Sequence, residues 1–213
     1  MTGPLQTFFT AIQAIHLVGG LQPGQNVLIH AGASGVGQSA IQLAKIHGAN
    51  KIFTTAGSDE KCKLCKDLGA DFAINYRSSE DFANVVERET NGQGVDLIVD
   101  MVGAAYWARN IQSAAWDARI VIIASLSGSK IPDFDLSQLQ RRRIGLLTTT
   151  LRSRSPEYQL TVRNFFHDKV LPHLVTGKVK TTIDKVYSWK DIVEAHKRME
   201  ASANAGKIIC KVD

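Results

Sequence analysis

The chain has 213 residues, of which 44% are hydrophobic and 21% charged, and its formal net charge is +5 at pH 7. This length allows one domain with a full hydrophobic core, or one domain with an appendage. No apolar run approaches the roughly 20 residues of a membrane-spanning helix, no signal-peptide pattern is present, and the scattered basic residues form no concentrated face, so we expect no membrane and no nucleic-acid partner.

The first elements along the chain predict a nucleotide-binding unit. Apolar residues at helical spacing predict a helix from Leu5 to Val18. The apolar run Val27 to Ile29 predicts a strand buried on both faces. The glycine-rich turn Gly32 to Gly37 then leads into an amphipathic helix. Strand, glycine-rich turn and helix in this order are typical of a βα unit that binds a nucleotide.

Strands and helices continue to alternate after this unit. Predicted strands follow at Lys51 to Thr55, Phe72 to Tyr76, Val95 to Asp100, Arg119 to Ile123 and Gly145 to Leu151. Predicted helices lie between them at Asp59 to Leu68, Asp81 to Thr90, Ala104 to Ala115 and Leu136 to Arg142. This alternation predicts an α/β fold with a doubly wound parallel sheet, a Rossmann fold whose two halves bind a dinucleotide.

The C-terminal part of the chain has a different pattern. A long helix is predicted from Pro156 to Leu174, a strand from Thr182 to Tyr187, a helix from Trp189 to Ala201 and a strand from Lys207 to Val212. These last elements need not join the parallel sheet. We therefore divide the chain into a cofactor-binding domain with a leading helix, residues 1–176, and a C-terminal segment, residues 177–213.

The glycine-rich turn predicts a pyrophosphate site. Gly32 allows the tight turn, Ser34 and Gly35 keep the backbone open, and Gly37 lets the helix approach the strand. The N–H groups of Gly35 and Val36 would face the pyrophosphate at the positive end of the helix dipole. A purely structural βα turn is the alternative interpretation, because Ser34 replaces the middle glycine of the usual motif.

The end of the second predicted strand indicates which dinucleotide binds. NAD enzymes carry an acidic residue there, whereas this chain has Thr55-Ala56-Gly57-Ser58. Ser58 can hydrogen-bond a 2′-phosphate and Lys61 can supply a cation, while Asp59-Glu60 is expected to face solvent. Tyr76 would flank the adenine or reach the phosphate. The sequence thus favours NADPH over NADH, although a solvated lysine and a half-buried tyrosine are the alternatives for Lys61 and Tyr76.

Further cofactor contacts are expected at the other strand ends. Ligands of open α/β sheets bind outside the carboxyl ends of the strands. Gly103 would allow a close approach, and backbone groups of Ala124, Ser125 and Leu126 would bond the nicotinamide carboxamide. Ordinary loop chemistry is nearly as good an explanation for each of these residues.

No catalytic acid–base set or metal site is apparent in the sequence. His30 ends a strand, where we expect a hydrogen-bonded structural residue. The other five histidines lie on helices at spacings that build no metal site. Cys62 and Cys65 have Cys-x-x-Cys spacing, but they lie inside a predicted helix, and reduced thiols of a cytoplasmic protein explain them better than a zinc or redox site.

Several long stretches give the chain a family resemblance. It resembles the zinc-independent quinone oxidoreductases of the medium-chain dehydrogenase/reductase superfamily, the zeta-crystallin type, and most closely those induced by a tumour suppressor. The matching stretches cover essentially the whole chain in order, and they are LIHAGASGVGQSAIQLAK, TAGSDEK, LGADFAINY, GVDLIVDMVGAAYW, TTLRSRSPEY and AHKRMEASANAGKI.

The resemblance implies an NADPH-dependent reduction of quinones or related enones, without metal, in a dimer paired along the Gly145 to Leu151 strand. It also implies roles for particular residues around the cofactor. The resemblance implies that Ser58, Lys61 and Tyr76 surround the 2′-phosphate and that Ser34 to Val36 hold the pyrophosphate. Thr10 would approach the nicotinamide side, and Asn204 would lie near the cofactor from the C-terminal segment.

One departure from the family limits what carries over. Family members begin with a GroES-like catalytic domain of about 100 residues, which this chain lacks. Residues 177–213 would then be the remnant of that domain. We expect an NADPH-dependent oxidoreductase present mainly as its cofactor-binding portion. The alternative is a non-catalytic NADPH-binding or dimerisation module, and a methyltransferase is less favoured because the second strand lacks an acid that would bind a ribose.

Overall fold

The computed structural model of the chain describes residues 3–78 and 80–212, so residues 1, 2, 79 and 213 of the two predicted domains lie outside the described residues. The strands are β1 Val27–Ile29, β2 Ile52–Ala56, β3 Phe72–Asn75, β4 Val95–Asp100, β5 Ala114–Ile122, β6 Gly145–Thr148, β7 Ile183–Ser188 and β8 Lys207–Lys211. The α-helices are α1 Gly3–Ile12, α2 Gly35–His47, α3 Asp59–Asp67, α4 Phe82–Glu89, α5 Trp107–Ser113, α6 Ser137–Arg142, α7 Pro156–Phe165, α8 Leu171–Val175 and α9 Ile192–Glu200. Short π-helical turns at Gln13–Leu17 and Phe166–Val170 continue α1 and α7.

Six strands form one parallel sheet in the order β3-β2-β1-β4-β5-β6. Strands β2 and β3 are added on one side of β1, and strands β4, β5 and β6 on the other side. The position between β1 and β4 is therefore the switch point of a doubly wound sheet. A dinucleotide fold binds its ligand in the crevice that opens at this point, outside the carboxyl ends of the strands. The predicted Rossmann fold is confirmed.

Helices cover both faces of this sheet, and strand β1 shows how. Val27 and Ile29 belong to one buried cluster and Leu28 to the other, as the two-residue period of a strand requires. Helices α1, α2, α3 and α7 contribute buried side chains to the first cluster, and α4 contributes buried side chains to the second. A strand buried on both faces reads as a continuous apolar run, which is why β1 is predicted from the sequence at its observed bounds.

The largest differences between predicted and observed bounds are at the start of β5 and at the end of β6. The helix predicted from Ala104 to Ala115 is wrong at its C-terminal end, because β5 begins at Ala114, which pairs with Val95 of β4. The edge strand predicted from Gly145 to Leu151 is too long. Its partner β5 ends at Ile122, which pairs with Thr148, and beyond that residue no β5 strand remains to pair with.

The C-terminal segment forms a small unit beside the main sheet. Strands β7 and β8 pair in parallel with each other, and α9 connects them, so these strands do not join the six-stranded sheet, a point that the sequence left open. The unit contacts the glycine-rich turn, where Gly206 N donates to Ala33 O at 2.9 Å and Ser34 forms a parallel bridge with Gly206. No helix within the described residues is long and apolar enough to cross a membrane.

Candidate functional site

A cleft of about 480 Å³ opens at the carboxyl ends of β1, β2 and β4. Its volume is within the range of small-molecule sites, and it lies at the switch point of the sheet. The predicted site residues that line it are Ser34, Gly57, Lys61, Tyr76, Leu126 and Asn204. It is also lined by residues to which the sequence analysis gave no individual role, namely Ala31, Ala33, Thr55, Ala56, Val102, Ala105, Tyr106, Ser127 and Ser202.

The glycine-rich turn forms one wall of the cleft. Ser34 caps α2, because its Oγ accepts from Gly37 N at 3.0 Å. A Cβ on Gly37 would lie 2.3 Å from Ala31 O, so only glycine lets the helix pack so closely on the end of β1. Ala31 itself takes the left-handed conformation of the turn, with φ of 50°.

The backbone of this wall is suited to an anion. No hydrogen-bond acceptor within residues 3–78 and 80–212 takes up the N–H groups of Gly35 and Val36. These groups lie in the first turn of α2, where the helix dipole favours negative charge. The turn therefore presents two backbone donors that a phosphate oxygen can use.

The second wall begins at the end of β2. Tyr76 lies across Gly57, where an added Cβ would be 2.7 Å from the tyrosine hydroxyl oxygen. Ser58 caps α3, accepting from Lys61 N at 3.3 Å, and it does not line the cleft. Asp59 and Glu60 are exposed, as the sequence analysis expects.

Lys61 supplies a cation to the cleft. Its Nζ donates to Ser202 O at 2.6 Å, so the side chain is held by the C-terminal segment and is not freely solvated. Partial burial, and then the nearby charge of Arg77, lower the pKa of Lys61. Such a lysine can still act as a point charge for a phosphate group.

A buried chain of polar side chains supports the ends of three strands beneath the cleft. His30 is fully buried; its Nδ1 lies 3.1 Å from Thr55 Oγ1 and its Nε2 lies 2.7 Å from Asn110 Oδ1. Asn110 Nδ2 in turn donates to Asp100 Oδ2 at 3.0 Å, and Asp100 Oδ1 accepts from Val102 N at 2.6 Å. Burial lowers the pKa of His30, so a neutral imidazole fits this chain. The side chain is structural, as predicted, although its partners are side chains.

Aromatic side chains give the cleft a flat apolar wall. Tyr106 is 8% exposed and packs against the His30 ring at a centroid distance of 4.8 Å. Tyr76 lies near it at 6.5 Å, and the Arg109 guanidinium lies 4.5 Å from the centroid of Tyr106. Burial raises the pKa of Tyr106, so its hydroxyl stays protonated. This wall has the shape and chemistry to hold a heteroaromatic ring.

The remaining predicted site residues do not line the cleft; they are Thr10, Gly35, Val36, Ser58, Gly103, Ala124 and Ser125. Thr10 Oγ1 donates to Gln6 O within α1 at 3.0 Å. Gly103 has φ of 89°, and a Cβ there would lie 3.0 Å from Ser125 Cα, so it packs the loop after β4 onto the loop after β5. Their contacts with a cofactor stay predictions.

The described residues contain no group of three or more His, Cys, Asp or Glu side chains placed to hold a metal ion. Cys62 and Cys65 are buried in the core on α3. Burial raises the pKa of Cys65 to about 12, which keeps it in the unreactive thiol form. The cysteine pair is part of the packing of α3 against the sheet.

The sequence matches one family model and several characterised proteins. Residues 35–167 match the family described as zinc-binding dehydrogenase. The chain is 35% identical over 123 residues to quinone oxidoreductase-like protein 2 of Mus musculus, covering 58% of this chain and 35% of that protein. It is 28% identical over 207 residues to the highly reducing polyketide synthase phiA of a fungal species, covering 95% of this chain and 8% of that protein.

Solved structures of other proteins have the same fold. A structure described as an NAD-dependent alcohol dehydrogenase has a TM-score of 0.83 and 32% identity, covering 97% of this chain and 57% of that one. Mycobacterial Rv1454c complexed with NADPH has a TM-score of 0.82 and 27% identity, covering 95% of this chain and 62% of that one. The chain thus spans less than two thirds of the length of each of these four proteins.

Proposed function

Because the chain belongs to the zinc-binding dehydrogenase family, we propose that it is the cofactor-binding portion of an NADPH-dependent oxidoreductase. The reaction we propose is the reduction of quinones or related enones by hydride transfer. A relative named quinone oxidoreductase-like protein 2 and a structural neighbour solved with NADPH support both parts of this proposal.

The observation that carries the proposal is the position of Lys61 in the cleft. In a dinucleotide fold, the end of β2 approaches the adenosine ribose. The residues from Thr55 to Ser58 include no carboxylate that would repel a 2′-phosphate, and Lys61 lies at the rim one turn further on. Tyr76 and Tyr106 offer the flat wall that an adenine ring needs. This combination supports NADPH as the cofactor.

The other end of the cofactor is assigned on the same basis. We propose that the pyrophosphate lies against Ser34, Gly35 and Val36, whose turn presents two backbone donors. In this proposal the nicotinamide end lies beside a further set of predicted residues on neighbouring loops and helices. These are Thr10, Gly103, Ala124, Ser125, Leu126 and, from the C-terminal segment, Asn204.

The part that this chain plays in the reaction is binding and orientation. NADPH, when bound, supplies the hydride. The chain's own groups would fix the phosphates and the adenine, and Val102 and Leu126, on the loops after β4 and β5, would exclude water from one side of the cleft. We assign the chain no catalytic residue.

We also keep the proposed division of the chain and its proposed partners. Residues 1–176 would form the cofactor-binding domain, and residues 177–213 would belong with a GroES-like catalytic domain. Two copies would pair along β6. We propose a cytoplasmic location, because Cys62 and Cys65 are buried thiols of the kind that a reducing compartment maintains.

A titration of the purified chain with NADPH and NADH tests the proposal. We expect NADPH to bind more tightly, and Lys61→Met to weaken NADPH about 10-fold or more while NADH changes little, since a charged hydrogen bond is lost. Lys63→Met is the matched control, because Lys63 is exposed on the same helix and pairs with Asp67. A chain that binds neither cofactor, or prefers S-adenosylmethionine, would contradict the proposal.

Adding a small ortho-quinone to the NADPH-bound chain separates the enzyme from the alternative. Oxidation of the cofactor would show that the chain turns over on its own. Tight binding without oxidation would favour the non-catalytic binding or dimerisation module. The exposed edge of β6, where Leu146 is 41% exposed, supports the alternative of a dimerisation module.

A further inference from the structure

The turn from residue 201 to residue 206, between α9 and β8, forms part of the cleft although it is far from the glycine-rich turn in sequence. Ser202 and Asn204 line the cleft, and Ser202 O accepts the hydrogen bond from Lys61 Nζ. The conformation of the 201–206 turn therefore determines where the Lys61 ammonium group is held.

One buried carboxylate organises this turn. The side chain of Asp184 on β7 is 8% exposed. Its Oδ2 accepts from Arg198 Nε at 2.6 Å, and its Oδ1 accepts from Arg198 Nη2 and from Ala205 N, both at 3.0 Å. Arg198 lies in the last turn of α9 and Ala205 precedes β8, so Asp184 joins both ends of the turn to β7.

The turn depends on such support. Ser202 has φ of 50°, a left-handed conformation that is unfavourable for a residue with a side chain. On its far side, Gly206 N donates to Ala33 O at 2.9 Å, which docks the turn on the glycine-rich loop. Asp184 and Gly206 together hold the backbone conformation that presents Ser202 O to Lys61.

We propose that Asp184 is a positioning residue for the phosphate group that distinguishes NADPH from NADH, and that it acts through the 201–206 turn and Ser202 O on Lys61. The inference rests on the proposed function, in which Lys61 binds the 2′-phosphate. A lysine that is already held in place loses less conformational freedom when the phosphate binds, and this raises affinity for the phosphorylated cofactor.

A purely electrostatic account predicts the opposite change in NADPH affinity when Asp184 is removed. The cations Lys61, Arg77 and Arg198 lie near one another, and Asp184 is the carboxylate whose charge offsets them. Removal of that negative charge would make the region more positive, and NADPH would bind more tightly. Positioning instead requires that NADPH bind more weakly when Asp184 is lost. The direction of the change decides between the two accounts.

The test measures the dissociation constants of NADPH and NADH for Asp184→Ala, Asp184→Asn, Lys61→Met and the double variants. We expect Asp184→Ala to weaken NADPH about fivefold, with a smaller effect on NADH, because preorganisation is lost. Asp184→Asn keeps an oxygen for Ala205 N, so its effect should be smaller. In the Lys61→Met background, Asp184→Ala should no longer change the ratio of the two constants, because coupled residues are non-additive.

Glu194→Ala is the control, since Glu194 is an exposed carboxylate of the same segment that pairs with Lys197. Tighter or unchanged NADPH binding in Asp184→Ala would overturn the inference. So would an equal loss of both cofactors in both backgrounds, which indicates general unfolding of the segment. If Asp184→Ala does not fold, the dissociation constants are measured for the double-mutant cycle of Asp184→Asn with Lys61→Met. The same outcomes then support or overturn the inference. A wild-type chain that binds neither cofactor overturns the proposed function and this inference together, whereas every other contrary result leaves the proposed function standing.

Discussion

At the scale of single residues, His16 shows how burial sets the charge of a side chain away from the cleft. It lies in the π-helical turn after α1, with its ring 4.7 Å from Phe165 and 4.5 Å from His47 between ring centroids. Burial, and then the neighbouring His47, lower its pKa from 6.5 to about 4. His16 is therefore neutral in the folded chain across the physiological range.

This shift predicts a loss of stability in mild acid. Between pH 6.5 and about 4 the unfolded chain binds a proton at His16 that the folded chain does not bind. The free energy of unfolding should then fall as the pH falls through this window, by about 3 kcal/mol in total for this group. Urea unfolding of His16→Gln should show a shallower pH dependence than wild type.

His196→Gln serves as the control, because His196 is exposed on α9. The slope that remains in His16→Gln is expected to come from His30, whose pKa burial also lowers, and at the acid end of the window from carboxyl groups with a lowered pKa, such as Asp184 beside Arg198. If the free energy of unfolding depends on pH in the same way for wild type and His16→Gln, the environment of His16 does not favour its neutral form.

The site residues that the sequence predicts are those whose role follows from local order along the chain. Ser34, Lys61 and Tyr76 each come shortly after a strand or glycine turn, and all three line the cleft. Tyr106 and Ser202 also line it, but they reach it through contacts between distant segments. A local pattern carries no signal for such contacts, so these two residues could not be assigned from the sequence.

At the scale of elements, the same distinction explains which bounds are predicted well. Strands β1 and β4 are apolar runs buried on both faces, and their predicted bounds match the structure. The start of β5 is set by pairing of Ala114 with Val95 and includes Asp117 at φ of 60°. Neither the pairing nor the irregular backbone is encoded in the helical spacing that suggested a helix over this stretch.

Gly206 is the position where a small change should release the C-terminal unit. It has φ of 94°, and a Cβ there would lie 2.4 Å from Thr182 O. Gly206→Ala should break the contact with Ala33 and let the backbone around the basic residues of α9 and β8 open more often. Limited trypsin digestion should therefore cleave there several-fold faster. The measurement is the rate of appearance of fragments that begin within α9 or β8.

Gly177→Ala is the matched control, because Gly177 has φ of 72° and no neighbouring heavy atom within 4 Å of an added Cβ. Gly177→Ala has the conformational cost of an alanine in the left-handed region, about 1–2 kcal/mol, but no steric clash. Equal digestion rates for Gly206→Ala and Gly177→Ala would show that backbone strain alone, and not docking at Gly206, controls the segment.

At the scale of the whole molecule, the parallel sheet has an edge that pairing between copies would cover. Strand β6 ends the sheet, and its backbone pairs on one side with β5. Exposed strand edges invite pairing with another chain. Leu146 on this strand is 41% exposed, so an apolar side chain is available at the edge.

We predict a homodimer along β6 that a charge at this edge disrupts. The wild-type chain should have twice the mass of one chain in size-exclusion chromatography with light scattering. Leu146→Lys should shift it to the monomer, because a lysine on an edge strand opposes pairing. Leu160→Lys, at a residue that is 52% exposed on α7, should remain dimeric. A wild-type monomer, or dimers of both variants, would contradict pairing along β6.

The bridge between Ser34 and Gly206 also has a consequence for how the chain is made. A ribosome completes the glycine-rich turn long before it reaches β8, so a nascent chain that ends after β6 has the whole parallel sheet but lacks Ser202 and Asn204 in the cleft. Ligand binding stabilises only those states that can bind. A nicotinamide cofactor bound as proposed would therefore stabilise the folded cleft at full strength only after β8 has been made.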